Sequence, residues 1–168
     1  MGKTPIVALE QFDERFKILP GQEFVVHDNI EDIEGDLFIS LDCATEARLG
    51  KAEIFIKKYF TINIDHHHGN TNFGNINYII PDFSSTSEMV YNILKKTGIN
   101  KDIASAIYAG IIGDTGGLRH PCTTIETMEA VTELFKLDIP FSKIYNSVMG
   151  EKSVAAHKLL GRAIEKSV

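Results

Sequence analysis

Residues 63–70 carry the side chains most suited to chemistry in this chain. They read Asn-Ile-Asp-His-His-His-Gly-Asn, so an apolar segment stops at the carboxylate of Asp65 and three consecutive imidazoles follow, those of His66, His67 and His68. Carboxylate oxygen and imidazole nitrogen are typical ligands of the divalent metals that enzymes use in hydrolysis. The stretch predicts a metal-dependent hydrolytic site at a strand end, and a solvated histidine loop is the alternative.

Two more acids follow apolar segments in the same way. Asp42 comes directly after residues 37–41, and Asp114 closes the apolar run 103–113. Ligands of open parallel sheets collect at the carboxyl ends of the strands, so we expect Asp42, Asp65 and Asp114 to converge on one crevice. Such a set would hold two metal ions about 3.5–4 Å apart and generate hydroxide for attack on phosphorus. For any one of these acids alone, a turn or helix-cap role is the alternative.

Strands and helices alternate in the first half of the chain, and the second half is mostly helical. Apolar runs predict strands at residues 5–9, 23–26, 37–42, 59–65 and 77–80. Helical spacing predicts helices at 44–58, 102–112, 125–136, 141–149 and 153–166, with a further helix after Ser85. This order predicts an α/β fold in one domain over 1–168, a mainly parallel sheet flanked by helices with a helical C-terminal half. The strand at 37–42 is almost wholly apolar, which predicts cover on both of its faces.

The segment Ser85-Thr86-Ser87-Glu88 predicts a helix start. Its Ser-x-x-Glu spacing is that of a capping box, in which Ser85 is the N-cap and the Glu88 side chain returns to the amide of Ser85. Gly98 is the expected end of this helix, because glycine readily adopts the left-handed conformation that follows a last turn.

Composition narrows the class of protein. The 168 residues are 43% hydrophobic and 24% charged, which is ordinary for a globular domain. A formal net charge of −6 argues against a surface for duplex DNA, which needs a basic footprint. The two cysteines are too few for a disulfide framework and indicate a reducing compartment. No segment has the length of a membrane span or the pattern of a signal peptide, so we expect a cytoplasmic protein without a membrane partner.

Four collinear segments resemble the DHH phosphoesterase superfamily. They are Leu41-Asp42-Cys43-Ala44; Asp65-His66-His67 with the following Asn70-x-x-Phe73-Gly74-x-x-Asn77; Pro81-Asp82-x-Ser84-Ser85-Thr86-x-Glu88; and the run from Tyr108 to Arg119 that contains Gly113-Asp114-Thr115-Gly116. The resemblance is RecJ-like, covers about residues 5–166, and points to the bacterial oligoribonuclease and phosphoadenosine-phosphate phosphatase branch. It implies hydrolysis of short oligonucleotides or nucleotide phosphates by metal-activated water.

The resemblance also implies roles for individual residues. Asp42, His66 and Asp114 would bind metal, with Asp42 bridging two Mn²⁺ ions; Mg²⁺ and Co²⁺ are further candidates. His67 would face the substrate phosphate and stabilise negative charge in the transition state. Asp65 would orient an imidazole, since metal-bound histidines usually donate their second N–H to an acceptor.

Weaker expectations concern the residues around this set. Arg119 is a candidate for phosphate contact, with a surface salt bridge as the alternative. His68 is expected to be exposed, and Thr115 and Gly116 are expected to shape the turn after Asp114. The remaining histidines receive no predicted role: His27, His120 and His157.

The chain departs from the family pattern at both ends. Family members open with a His-x-x-Pro-Asp-x-Asp segment that supplies further metal ligands, and they continue into a second, substrate-gripping DHHA1 domain with a Gly-Gly-Gly-His type motif. Neither pattern occurs in this sequence. We therefore expect one incomplete metal position, an open strand edge within the sheet, and a chain that is marginally stable or self-associates. A homodimer or a complementing N-terminal segment would be the partner.

Three functional interpretations stay open. The first is a phosphodiesterase or phosphatase whose substrate is a small nucleotide or short oligonucleotide. The second is a catalytically inactive nucleotide- or metal-binding fragment, which the missing ligand segment favours. The third is a manganese-type pyrophosphatase or exopolyphosphatase, and the Asn70-x-x-Phe73-Gly74 segment favours the oligonucleotide branch over it.

Overall fold

The computed structural model of the protein describes residues 3–10, 13–150 and 154–167. Its strands are β1 (Val7–Ala8), β2 (Val25–Val26), β3 (Phe38–Leu41), β4 (Thr61–Asp65) and β5 (Ile76–Ile79). Its α-helices are α1 (Phe55–Lys58), α2 (Thr86–Leu94), α3 (Lys101–Asp114), α4 (Ile125–Phe135), α5 (Phe141–Met149) and α6 (Val154–Glu165). The predicted α/β class is confirmed, while the expected helix start at Ser153 lies outside the described residues.

The strands form two parallel sheets. One contains β1 and β2, and the other has the order β3-β4-β5 with β4 in the centre. The parallel pairing agrees with the prediction, and the described strands form two sheets instead of one. Because β3 is an edge strand of the larger sheet, its outer side has no strand partner within the described part of the chain.

The larger sheet buries its polar face and exposes its apolar one. Ser40 and Asn63 are register partners on neighbouring strands, and both are almost fully buried. On the opposite face, Ile39 and Leu41 remain 49% and 50% exposed. The prediction that this strand is covered on both faces is therefore wrong, because β3 packs on one side only.

The predicted helix at 44–58 is interrupted. Residues Glu46–Ile54 form a 3₁₀ segment that bends at Gly50, with φ 53° and ψ −129°, and only Phe55–Lys58 is α-helical. The carboxylate of Glu10 accepts a hydrogen bond from the amide of Lys51 at 2.9 Å and occupies the space that a Cβ at Gly50 would need. This long-range contact outweighs the local helical pattern.

Helices α3, α4 and α5 enclose the main core. Its buried side chains are Ala104, Ile107, Tyr108, Ala109, Ile111 and Ile112 of α3, Val131 and Leu134 of α4, Ile139, and Ile144 and Val148 of α5. Helix α2 crosses α3 at Gly110, where an added Cβ would lie 1.9 Å from Ser87 Oγ. This close crossing brings the start of α2 near the C-terminal half of α3, so the site depends on it. In the described residues, each helix is too short or too polar to span a membrane.

Candidate metal centre

Asp42 lies directly after β3 in a left-handed backbone conformation, with φ 63°. Aspartate tolerates this region better than most residues, for which it costs about 1–2 kcal/mol. Two contacts hold it: its amide donates to the carbonyl of Ile64 at 3.0 Å, and its Oδ1 accepts from Thr86 Oγ1 at 2.8 Å. The carboxylate is therefore fixed at both its backbone and its side chain.

His66 follows the last residue of β4 and has a defined tautomer. Its Nδ1 lies 3.1 Å from the carbonyl oxygen of Phe83, which can only accept, so Nδ1 carries the proton. In the neutral ring Nε2 is then the nitrogen without a proton, and it faces Oδ1 of Asp42 at 3.5 Å and Oδ2 of Asp114 at 3.7 Å. His66 thus presents its free nitrogen to both predicted ligand acids.

Asp114 is the last residue of α3, and the helix delivers it to the end of the sheet. Burial, together with the carboxylate of Asp42, raises the pKa of Asp114, and the imidazoles of His66 and His67 oppose this only in part. A buried acid whose ionisation is disfavoured by a neighbouring carboxylate is in a setting that a divalent cation relieves.

The donor atoms around His66 Nε2 are spaced as the ligands of a divalent cation would be. Metal–ligand bonds of about 2.1 Å place neighbouring donor atoms roughly 3.0–3.5 Å apart, close to the spacings seen around His66 Nε2. Among the described residues, the group whose donor atoms all lie within 4.8 Å of one another is Asp42, His66 and His67. Asp114 contacts His66 at 3.7 Å but lies outside that group, whereas His67, which was expected to face the substrate, lies inside it. The donor set of carboxylate oxygen and imidazole nitrogen suits Mn²⁺, Mg²⁺ or Zn²⁺.

Asp65 orients His67 rather than His66. Its Oδ1 lies 2.7 Å from His67 Nδ1, which leaves Nε2 of His67 as the free nitrogen. Burial alone would raise the pKa of Asp65, but hydrogen bonds from His67 and Asn70 outweigh it and lower the pKa below the ordinary value. Asp65 is fully buried, so this ion–imidazole pair is a rigid part of the site.

Asn70 connects the ends of β3 and β4. Its amide nitrogen donates to Asp65 Oδ2 at 2.6 Å and to the carbonyl of Cys43 at 3.2 Å, while its oxygen accepts from Asn63 at 3.2 Å. One side chain therefore joins the residue after Asp42 to the carboxylate that holds His67.

The remaining predicted residues lie around this cluster. Arg119 Nε donates to the carbonyl of Gly116 within its own turn, and among the described residues it forms no ion pair. His68 is exposed, as expected. Thr115 is buried and its hydroxyl accepts from the amide of Leu118, so it shapes the turn after Asp114 as predicted.

Sequence reasoning missed the contributions of Phe83 and Thr86. Both lie in the segment Pro81 to Glu88, which carried a helix-cap pattern and part of the family resemblance but no predicted role for either residue. The cap itself is half correct: Ser85 accepts from the amide of Glu88 at 3.0 Å, but the Glu88 carboxylate bonds Ser84 and Thr127 instead of returning to Ser85. Helix α2 ends at Leu94, earlier than the expected stop at residue 98.

Comparison with known proteins gives consistent similarities. The sequence profile of the DHH family, N-terminal domain, matches residues 6–111 and so includes the first two predicted ligands. The probable bifunctional oligoribonuclease and PAP phosphatase NrnA of Streptococcus mutans is 33% identical over 116 residues, 68% of this chain and 37% of that protein. The bifunctional oligoribonuclease and PAP phosphatase NrnA of Bacillus subtilis is 32% identical over 127 residues, 73% of this chain and 40% of that protein.

A solved structure shares the fold. The crystal structure of an exopolyphosphatase-related protein from Bacteroides fragilis matches with a TM-score of 0.86 at 27% identity, over 95% of this chain and 51% of that one. The chain spans well under half the length of the two bacterial relatives named above.

Proposed function

The chain belongs to the DHH family, and from that premise we propose that it is a metal-dependent phosphoesterase domain acting on short oligoribonucleotides or nucleotide phosphates. The observation that carries the proposal is the convergence of Asp42 and Asp114 on the free nitrogen of His66. The names of the Streptococcus and Bacillus relatives support this substrate class. The acidic net charge of −6 agrees with a small substrate rather than a duplex.

In this proposal Asp42, His66 and Asp114 would hold Mn²⁺. A bound divalent cation supplies Lewis acidity and lowers the pKa of a coordinated water. His67, oriented by Asp65, turns its free Nε2 toward the substrate phosphate and stabilises charge that develops there. Arg119 stays the predicted second phosphate contact.

The same proposal covers the cellular compartment and the partner of the chain. Cys43 and Cys122 are free thiols, which suits a reducing compartment, and we place the protein in the cytoplasm. A second copy or a complementing segment would supply the further ligands of a second metal position. Sedimentation of the chain with and without Mn²⁺ tests for the second copy.

The test is Mn²⁺-dependent cleavage of a diribonucleotide by the full chain, beside Asp114→Asn. We expect product from the unaltered protein and at least a hundredfold less from the variant, because one of three ligands loses its charge. Phosphoadenosine phosphate and polyphosphate complete the panel, since the Bacteroides neighbour is described as exopolyphosphatase-related. A folded chain that binds Mn²⁺ and cleaves none of them would make it a binding module and overturn the enzymatic proposal.

A further inference from the structure

One short segment supports two of the proposed metal ligands. In residues 83–86, here called the support turn, the carbonyl of Phe83 accepts from His66 Nδ1 at 3.1 Å, and the hydroxyl of Thr86 donates to Asp42 Oδ1 at 2.8 Å. His66 and Asp42 belong to different strand ends, so the support turn fixes the position of one relative to the other.

The buried side chain of Glu88 holds the support turn in place. Glu88 is only 2% exposed, and its Oε2 accepts three hydrogen bonds: from Ser84 Oγ at 2.5 Å, from the Ser84 amide at 3.3 Å and from Thr127 Oγ1 at 2.9 Å. Ser84 is the second residue of the support turn, and Thr127 lies in the first turn of α4. Glu88 therefore ties the turn to a helix that belongs to the main core.

Helix capping does not explain this acid. Ser85 caps α2 with its own hydroxyl, and Thr124 and Thr127 cap α4 reciprocally. Burying a carboxylate is costly, and an apolar side chain of similar size is often as stable. The Glu88 carboxylate fixes the orientation of Ser84 by accepting its hydrogen bonds, which an apolar side chain could not do.

We propose that Glu88 is a positioning residue that acts through Ser84 on the support turn. By holding that turn, it sets the Nδ1–H tautomer of His66 and the side-chain direction of Asp42. The consequence for metal binding rests on the proposed function, whereas the effect on the His66 ring is a property of the metal-free protein.

The test replaces Glu88 in the full chain and measures two quantities. Glu88→Met keeps a side chain of similar length but removes the oxygen that accepts the three hydrogen bonds. Glu88→Gln keeps one side-chain oxygen, which can take the place of Oε2 as the acceptor. Val131→Ala shortens a buried side chain of α4 in the main core and controls for lost stability. The first measurement is the tautomer of the neutral His66 ring by long-range ¹H–¹⁵N NMR without metal, at a pH high enough that the spectrum shows the ring deprotonated. The second is Mn²⁺ affinity by EPR titration.

We expect Glu88→Met to lose the single Nδ1–H tautomer of His66 and to bind Mn²⁺ at least tenfold more weakly. Glu88→Gln and Val131→Ala should keep the tautomer and stay within threefold of the unaltered affinity. A folded Glu88→Met with the original tautomer and affinity would overturn the proposal.

A milder variant keeps the test decisive if Glu88→Met does not fold. Thr127→Val removes one of the three donors to Glu88, and it should shift the tautomer population and the affinity in the same direction. An unchanged His66 ring in a folded Thr127→Val would overturn the proposal. If the unaltered chain binds no Mn²⁺, the proposed function fails, and the tautomer still decides the role of Glu88.

Discussion

Replacing Gly110 by alanine should damage the metal site while leaving the protein folded. A Cβ at residue 110 would lie 1.9 Å from Ser87 Oγ and 2.7 Å from Ser87 Cβ. Rotation of the hydroxyl relieves only the first contact. The second is at least 0.7 Å short of ordinary van der Waals contact, so α2 and α3 must move apart.

The displacement acts on Asp114, one helical turn beyond Gly110. Overpacking costs about 1–3 kcal/mol, and the better helix propensity of alanine returns about 0.5–1 kcal/mol. The free energy of unfolding should fall by about 0–2.5 kcal/mol, which lowers Tm by at most about 10 °C. A misplacement approaching 1 Å costs a catalytic site about 10²-fold, so Mn²⁺ affinity and turnover should fall about a hundredfold in a protein that remains folded.

The assay combines thermal unfolding, Mn²⁺ titration and diribonucleotide cleavage on three variants. Gly113→Ala is the matched control, because its Cβ would meet only Val148 Cγ1 at 3.9 Å on the same helix. The double variant Gly110→Ala with Ser87→Gly removes the obstructing Cβ and should restore both affinity and turnover.

Two results would refute this reasoning. Unaltered Mn²⁺ affinity in a folded Gly110→Ala would show that the helix crossing does not set the position of Asp114. A loss in Gly113→Ala as large as that in Gly110→Ala would show that any added methyl in this part of α3 is harmful.

Two other substitutions test the turns around the site. Gly116→Ala should lower the free energy of unfolding by at least about 1–2 kcal/mol in a denaturant titration, because φ is +57° and the new Cβ would lie 2.3 Å from His120 Nε2. An unchanged unfolding midpoint would contradict the close contact with the His120 ring. Asn70→Asp should cost about 2–3 kcal/mol, since it replaces the donor to Asp65 by a second carboxylate. The same change at Asn72, which is exposed, should stay within about 0.5 kcal/mol, and equal losses at both positions would refute the role of Asn70.

Local patterns were sufficient to predict the elements that carry the ligands. The apolar runs ending at Asp42 and Asp65 indicated adjacent parallel strands, and the register of β3 on β4 places their ends side by side. The helix that ends at Asp114 followed from its spacing of small and apolar residues. Because these are properties of short segments, they are visible in the sequence.

The supports of the site depend on contacts between distant residues. Thr86 and Asp42 are 44 positions apart, and Thr127 and Glu88 are 39 positions apart, so no local period indicates either pair. The bend at Gly50 has the same origin, since Glu10 determines it from outside the predicted helix. The Ser-x-x-Glu pattern showed where α2 starts but not that its glutamate would find a hydroxyl on another helix.

The left-handed conformation of Asp42 limits which residues can replace it when such a site is lost in evolution. Glycine adopts this backbone without strain, and asparagine and aspartate tolerate it better than most other residues, for which it costs about 1–2 kcal/mol. Aspartate codons reach those of glycine and asparagine by a single base change. A gene copy that is no longer selected for catalysis can therefore lose this ligand by one base change and still encode a folded protein. Glycine or asparagine at position 42 would identify such a protein.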